Sequence, residues 1–144
     1  MKPEALGPAS AKAVSALHQR CFDHGWSEAE FTALLHLNSS HLHALRKENT
    51  LIGFILCRSA LDEAELLTIC THPDKRGKGI GRRLLDHAHA HLAAEGIGRI
   101  FLEVSVMNTQ ARRLYDQAGY SEIARRKAYY RDGSDACVME KTLL

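Results

Sequence analysis

Apolar positions along this chain change their period several times, and each change marks a new element. From Ser10 to Phe22 the residues Ala13, Val14, Ala16, Leu17 and Cys21 recur at near-helical spacing, which predicts a helix. A second helix is expected to open at Ser27 and run to about Leu37. Ser27 and Glu30 have the spacing of a capping box there, and Trp26 stands where a hydrophobic staple would. The period then shortens to two. His41 to Arg46 alternates, Lys47-Glu48-Asn49-Thr50 reads as a turn, and Leu51 to Arg58 is rich in β-forming residues, so a hairpin is expected. Glu63 to Thr71 supplies a further strand, ended by His72-Pro73-Asp74.

Past Gly79 the helical period returns, with Ile80, Leu84, Leu85, Ala88 and Leu92 on one face and Gly96 as a stop. Arg99 to Val106 reads as a short apolar strand, and Asn108 to about Ala118 as a helix ended by Gly119. Two closing strands are predicted at Tyr120 to Ala124 and Ala136 to Lys141. Two helices, three strands, helix, strand, helix and two strands make an α/β fold, a mixed sheet with helices packed on it. At 144 residues, with no repeat or linker, the whole of 1–144 is expected to form a single domain.

Composition narrows the function. Nothing approaches the roughly 20 apolar residues of a membrane helix. The start, Met1-Lys2-Pro3-Glu4-Ala5, lacks a signal-peptide core, so a cytoplasmic protein with no membrane partner is expected. With 19 basic and 17 acidic residues the charge is too balanced to imply nucleic-acid binding. Cys21, Cys57, Cys70 and Cys137 are far apart with no Cys-x-x-Cys pair, which argues against a disulfide or metal framework. His87, His89 and His91 fall close together, but alternate positions on a helix point in different directions. These three are therefore expected on a solvated helix surface, and no metal is expected.

The most informative segment is Asp74-Lys75-Arg76-Gly77-Lys78-Gly79-Ile80-Gly81-Arg82-Arg83. Alternating glycines at a strand-to-helix junction remove side chains where backbone N–H groups converge, and a helix N-terminus adds free donors and partial positive charge. Basic residues crowd the same turn, and Arg82 and Arg83 are unfavourable in a first helical turn unless an anion lands there. Loop and charges argue for a phosphate or pyrophosphate. A Walker loop needs Ser or Thr after Gly-Lys, and here Ile80, Gly81 and Arg82 follow Gly79. A Rossmann fingerprint needs glycine where Arg82 stands, although Glu103 lies at the distance of a Rossmann acid. Arg76, Gly79 and Gly81 instead form Arg-x-x-Gly-x-Gly, which resembles the coenzyme A pyrophosphate loop of the GCN5-related N-acetyltransferases.

The resemblance extends downstream through Leu102-Glu103-Val104, Asn108, Ala111, Leu114-Tyr115 and Gly119-Tyr120. With Trp26-Ser27-Glu28, Arg126, Tyr129-Tyr130 and Asp135-Ala136 it covers about residues 20 to 141, and is nearest to the bacterial branch that acetylates ribosomal-protein alanine. Gly25 and Ser134 depart from that branch's pattern. The resemblance implies the family's fold, a mixed, mostly antiparallel central sheet flanked by helices. It also implies acetyl-CoA as donor, bound by Ile69, Cys70 and Thr71 along the pantetheine arm, by Arg76, Gly77, Lys78, Gly79, Ile80, Gly81 and Arg82 around the pyrophosphate, and by Asn108. Asn108 is expected to cap its helix as well.

An amine must lose a proton before it attacks a thioester, and the leaving thiolate must gain one. Glu103 sits in an apolar strand, where burial would raise its pKa and make it a usable base. By resemblance Glu103 is the base, directly or through water, and Tyr115 the acid; pairing of Glu103 with a nearby Arg and core packing of Tyr115 are the plainer alternatives. Cys70 lacks a His neighbour, so direct transfer is expected over an acetyl-cysteine intermediate. The implied acceptor is a protein N-terminus, of an Ala-starting ribosomal protein by the nearer resemblance. A small amine, an internal lysine, or acyl-CoA binding without catalysis are the alternatives. Tyr129, Tyr130 and Asp132-Gly133-Ser134 are candidates for the acceptor groove.

Overall fold

A computed structural model describes residues 2–144. One seven-stranded sheet runs in the order β1-β2-β3-β4-β5-β7-β6. Its strands are β1 (Glu4–Leu6), β2 (Ser40–Lys47), β3 (Thr50–Ala60), β4 (Glu63–Thr71), β5 (Arg99–Ser105), β6 (Ser121–Arg126) and β7 (Ala136–Thr142). All neighbours are antiparallel except β4 and β5. Helices α1 (Ala11–Cys21) and α2 (Glu28–Leu35) pack on one face around Phe31, Phe54 and Leu56; α3 (Ile80–Ala94) and α4 (Thr109–Gln117) pack on the other around Leu84, Leu85 and Leu102. The mixed, mostly antiparallel sheet with flanking helices is the architecture expected from the sequence.

Local signals act as read. Ser27 accepts from the Glu30 N–H and Glu30 accepts from the Ser27 N–H, a complete capping box. Trp26 meets Phe31 at 5.4 Å between ring centroids, which closes the staple. Glu48 and Asn49 both take positive φ, the geometry of a tight hairpin turn, while Lys47 pairs with Thr50. One strand is new: β1 pairs with β2 at the sheet edge. Three residues between Pro3 and Gly7 are too few to show a period.

Two departures from regular pairing shape the centre. Thr68 pairs with Leu56 but Leu66 pairs with Cys57, so Leu67 is an extra residue, a bulge in β4. Because side chains alternate, one extra residue exchanges the faces. Leu66 packs toward α3, whereas Cys70, four residues on, packs toward α1. Gly53 on β3 answers a different demand. A Cβ there would lie 2.9 Å from Ile80 and 3.2 Å from Leu84, so its absence lets the N-terminal turn of α3 sit close on the sheet.

Buried histidines tie helices to the sheet. His18 of α1 is 3% exposed; its Nδ1 accepts from the Trp26 N–H at 2.9 Å, which leaves Nε2 to donate to Thr68 Oγ1 at 2.9 Å. His89 of α3, expected on a solvated surface, is instead 8% exposed and hydrogen-bonded to the Tyr120 hydroxyl at 2.7 Å. Its side of the helix faces α4 and the β6 junction, a face that helical spacing alone does not define. Burial lowers both imidazoles to about 4. Each is therefore neutral when folded and protonates more readily when unfolded. Their stabilisation is complete above about pH 6.5 and lost as pH falls toward 4, with a slope of up to about 1.4 kcal/mol per pH unit for each. Urea midpoints measured between pH 7 and pH 4 should fall over that window, and His18→Gln should flatten the fall while lowering stability at pH 7.

Candidate active site

The single parallel pair of the sheet is also its shortest contact among the central strands. Strands β4 and β5 pair only from Glu63 to Glu65 against Arg99 to Phe101. Beyond that, β5 keeps its antiparallel partner β7 and β4 keeps β3, so the two diverge. From Leu66 onward the β5-side edge of β4 has no strand neighbour, and its backbone groups on that edge face the gap. A cleft of about 770 Å³ fills the opening. Every catalytic and donor-binding residue selected from the sequence lines it except Lys78, which is exposed outside; of the acceptor-groove candidates only Tyr130 does.

At one end lies the glycine loop. Gly77 and Gly79 have φ of 78° and 75°, the left-handed region that a Cβ disfavours. Gly79 is the N-cap of α3 and no side chain caps this end, so the first-turn N–H groups and the helix dipole remain for an anion. Gly81 lies against α4, where a Cβ would meet Leu114 at 3.3 Å. The loop's charges divide unequally. Arg76 lines the cleft, while Arg82 is held sideways by Asp86 at 3.0 Å and by the Gln117 carbonyl at 3.2 Å. Asn108 caps α4 by accepting from the Ala111 N–H at 3.1 Å, and it lines the cleft as well.

The middle is walled by Leu66, Leu67, Thr68, Ile69 and Cys70 of β4. The bulge at Leu67 leaves a backbone N–H out of the ladder, the kind of donor that polarises a carbonyl. Cys21 of α1 also reaches this wall and donates to the Thr71 carbonyl at 3.3 Å. A hydrogen bond from Cys70, then the Arg76 guanidinium, hold the Cys21 thiol below its ordinary range against the cost of burial. The same contact and burial push Cys70 up, which suits a lining role rather than a nucleophile's. Nothing local signalled Cys21, since it meets Cys70 only through the packing of α1 on β4.

The other end holds the groups that can move protons. Glu103 projects from β5, and its Oε2 is shielded from solvent with no hydrogen-bond partner among the described residues. Arg126 of β6 stands 3.6 Å away, an ion pair beyond hydrogen-bond reach. The apolar setting expected for Glu103 is thus shared with a cation from a neighbouring strand, the pairing held as its plainer alternative. Tyr115 of α4 is 6% exposed and belongs to both the core and the cleft lining. Burial, then the nearby Tyr130, push its phenol far above the usual range, so it keeps its proton throughout the working pH range. Tyr130 closes this end, its own phenol pushed up to about 12 by burial and by the Glu103 charge. The loop carrying it is pinned to β5 by a Ser105–Ser134 hydroxyl contact of 2.9 Å and by the Val106 N–H on the Asp135 carbonyl.

A splayed sheet with an anion loop at one end and proton-transfer groups at the other defines an acyl-coenzyme A-dependent transferase. The acetyltransferase (GNAT) family profile matches residues 11–120. Over 127 residues the chain is 33% identical to the ribosomal protein bS18-alanine N-acetyltransferase of Escherichia coli strain K12, covering 85% of this chain and 84% of that one. The Haemophilus ducreyi enzyme of the same name is 38% identical over 84 residues, 58% of each chain. The N-alpha-acetyltransferase RimI of Mycobacterium tuberculosis is 34% identical over 144 residues, with 95% and 89% coverage. The crystal structure of the Escherichia coli ribosomal-protein-S18-alanine N-acetyltransferase superposes with a TM-score of 0.92 at 30% identity, covering 99% of this chain and 93% of that one. The chain belongs to the GNAT acetyltransferase family, and it is an acetyl-CoA-dependent N-acetyltransferase.

The loop geometry sets a direct test. Gly79→Val forces a β-branched residue into the left-handed region at about 1–2 kcal/mol, and its side chain meets the bound anion. Acetyl-CoA binding measured by calorimetry should weaken at least about tenfold, with the circular dichroism spectrum unchanged. Unaltered affinity would remove the loop from the donor site.

Proposed function

We propose that this enzyme transfers the acetyl group of acetyl-CoA to the N-terminal α-amine of a protein, an Ala-starting ribosomal protein, in the cytoplasm. The named relatives act on ribosomal-protein alanine, which supports this reading. The observation that carries the reading is the Glu103 oxygen, ion-paired but without a hydrogen bond, at the same end of the cleft as the protonated Tyr115. A binding protein has no use for that pairing. Beside this end lies an open depression of about 690 Å³, walled by Gln19, Phe22, Trp26 and Glu30 on the helical side and Arg131 from the β6–β7 loop. Its lining includes the carboxylates Asp23 and Glu30, whose charge suits an ammonium.

In the mechanism we infer, the pyrophosphate sits on the N–H groups of Gly77 to Arg82 beside Arg76. The pantetheine arm runs along β4, past Ile69, Cys70 and Thr71, with Asn108 on the opposite wall. Glu103 takes a proton from the acceptor ammonium, directly or through one water, and frees the nitrogen lone pair. The nitrogen attacks the thioester carbonyl, and the oxyanion is stabilised by a β4 N–H at the bulge. As the C–S bond breaks, Tyr115 gives its proton to the departing thiolate, which is uphill in isolation but assisted as charge grows on sulfur. The attacking nitrogen loses its second proton as the adduct collapses, that proton returns through solvent to restore the Tyr115 hydroxyl, and Glu103 releases its own to water, which leaves the acetylated amine and coenzyme A.

Two measurements test this. A peptide array scored by first residue should give α-amine acetylation of Ala-starting peptides, located by mass spectrometry; product found only on lysine Nε or on small polyamines would overturn the acceptor. Among variants, Glu103→Gln should cut turnover by roughly 10²–10⁴ while keeping acetyl-CoA affinity.

Tyr115→Phe keeps the ring and removes only the hydroxyl. It should lower kcat clearly, with little change in acetyl-CoA affinity and a stability loss of at most about 1 kcal/mol. The defect should shrink for a thioester whose thiol is more acidic. A normal kcat with acetyl-CoA would leave Tyr115 to the core.

A further inference from the structure

Where α3 crosses β2, away from the donor cleft, the fold gathers four imidazoles and a carboxylate. His41 and His43 share a face of β2, and His87, His91 and Glu95 follow one another at four-residue intervals along α3. His91 lies eleven residues past Ile80, about 16 Å along the helix from the glycine loop. The sequence expectation of no metal rested on His87, His89 and His91 as a trio. That trio does separate, with His89 turning to Tyr120, but the outer pair faces two histidines from a strand nearly 50 residues earlier.

The potential ligand atoms lie close together. His41 Nδ1 lies 3.1 Å from His91 Nε2, and His91 Nε2 lies 3.8 Å from Glu95 Oε1. One ligand atom from each of the three falls within 4.8 Å of the others. Two nitrogens bound to a tetrahedral zinc at about 2.05 Å stand about 3.3 Å apart, inside the observed range. The far nitrogen of His41, Nε2, contacts Ser59 Oγ at 2.9 Å, the outer hydrogen bond that orients a ligating imidazole. His43 is the second observation. It is 3% exposed, its ring centroid lies 4.6 Å from that of His91, and its Nδ1 has no hydrogen-bond partner among the described residues. A buried, unpartnered nitrogen beside three convergent ligand atoms is an unfavourable arrangement for a protein alone.

We propose that His41, His91 and Glu95 bind a divalent transition-metal cation of the zinc type, with the fourth position left to water, and that the ion clips α3 to β2. Histidine with one carboxylate is a donor set suited to zinc. Half-buried His41 and His91 and exposed Glu95 leave the ion a path from solvent.

The test uses untagged, chelator-stripped full-length protein titrated with Zn²⁺ in a calorimeter, with Co²⁺ as a spectroscopic substitute. One Zn²⁺ per chain should bind, raising the Tm, and the Co²⁺ spectrum should lack thiolate charge-transfer bands. Binding should persist in Cys21→Ser, which removes the activated thiol of the donor cleft, and acetyl-CoA should not displace the ion. His91→Ala and His41→Ala should each weaken binding at least about 100-fold, and Ser59→Ala by about 10- to 100-fold. Glu95→Gln, at an exposed position that leaves folding intact, should weaken it at least about tenfold. Absence of stoichiometric binding, loss of the ion in Cys21→Ser, or unchanged affinity in Glu95→Gln and His91→Ala would each overturn the site.

Discussion

The parting of β4 from β5 is the constraint on which the rest of this molecule depends. Three residue pairs hold the two strands together, and past Phe101 each follows a different neighbour. A continuous sheet would bury every backbone group in ladder bonds and leave no room for a cofactor. By separating, the strands expose one edge of β4 in the middle of the protein, where hydrogen-bond donors are fixed. The bulge at Leu67 falls on this freed stretch. It releases a donor and also turns Cys70 toward α1 instead of α3.

Other features follow from holding that gap open. Helix α3 must bring its N-terminus to one end, and the missing side chain of Gly53 lets Ile80 and Leu84 seat against the sheet. Helix α1 must cover the opposite face without collapsing into the cleft. His18 sets its distance by bonding the Trp26 backbone on one side and Thr68, beside the bulge, on the other. The cost is a buried imidazole that must stay neutral, so the element shaping the pocket is also sensitive to acid.

Electrostatics separate the two ends. Uncapped N–H groups, the α3 dipole and Arg76 make one end attractive to phosphate. At the other, Glu103, Tyr115 and Tyr130 gather; burial and the neighbouring Tyr130 keep the Tyr115 phenol protonated, and burial and the Glu103 charge keep that of Tyr130.

Much of this was legible in the sequence. The capping box at Ser27, the helix opening after Gly79, the Asn108 cap and the limits of β4 from Glu63 to Thr71 are all local, set by residues within a turn or by a period of two. Glycine at 77 and 79 determined a loop whose backbone only glycine adopts freely, so the anion site was readable before any contact was known. The approach of Cys21 to Cys70, the Arg126 beside Glu103, the bulge at Leu67 and the histidines of β2 facing those of α3 were not. Each joins residues 9 to 50 positions apart through a strand register or a helix packing angle, and periodicity says which face a residue takes but not what lies opposite. The chain alone determined the elements and the chemistry they carry. Only the tertiary structure decided which charges and lone pairs meet, because those distances are set by how the sheet is paired and where it comes apart.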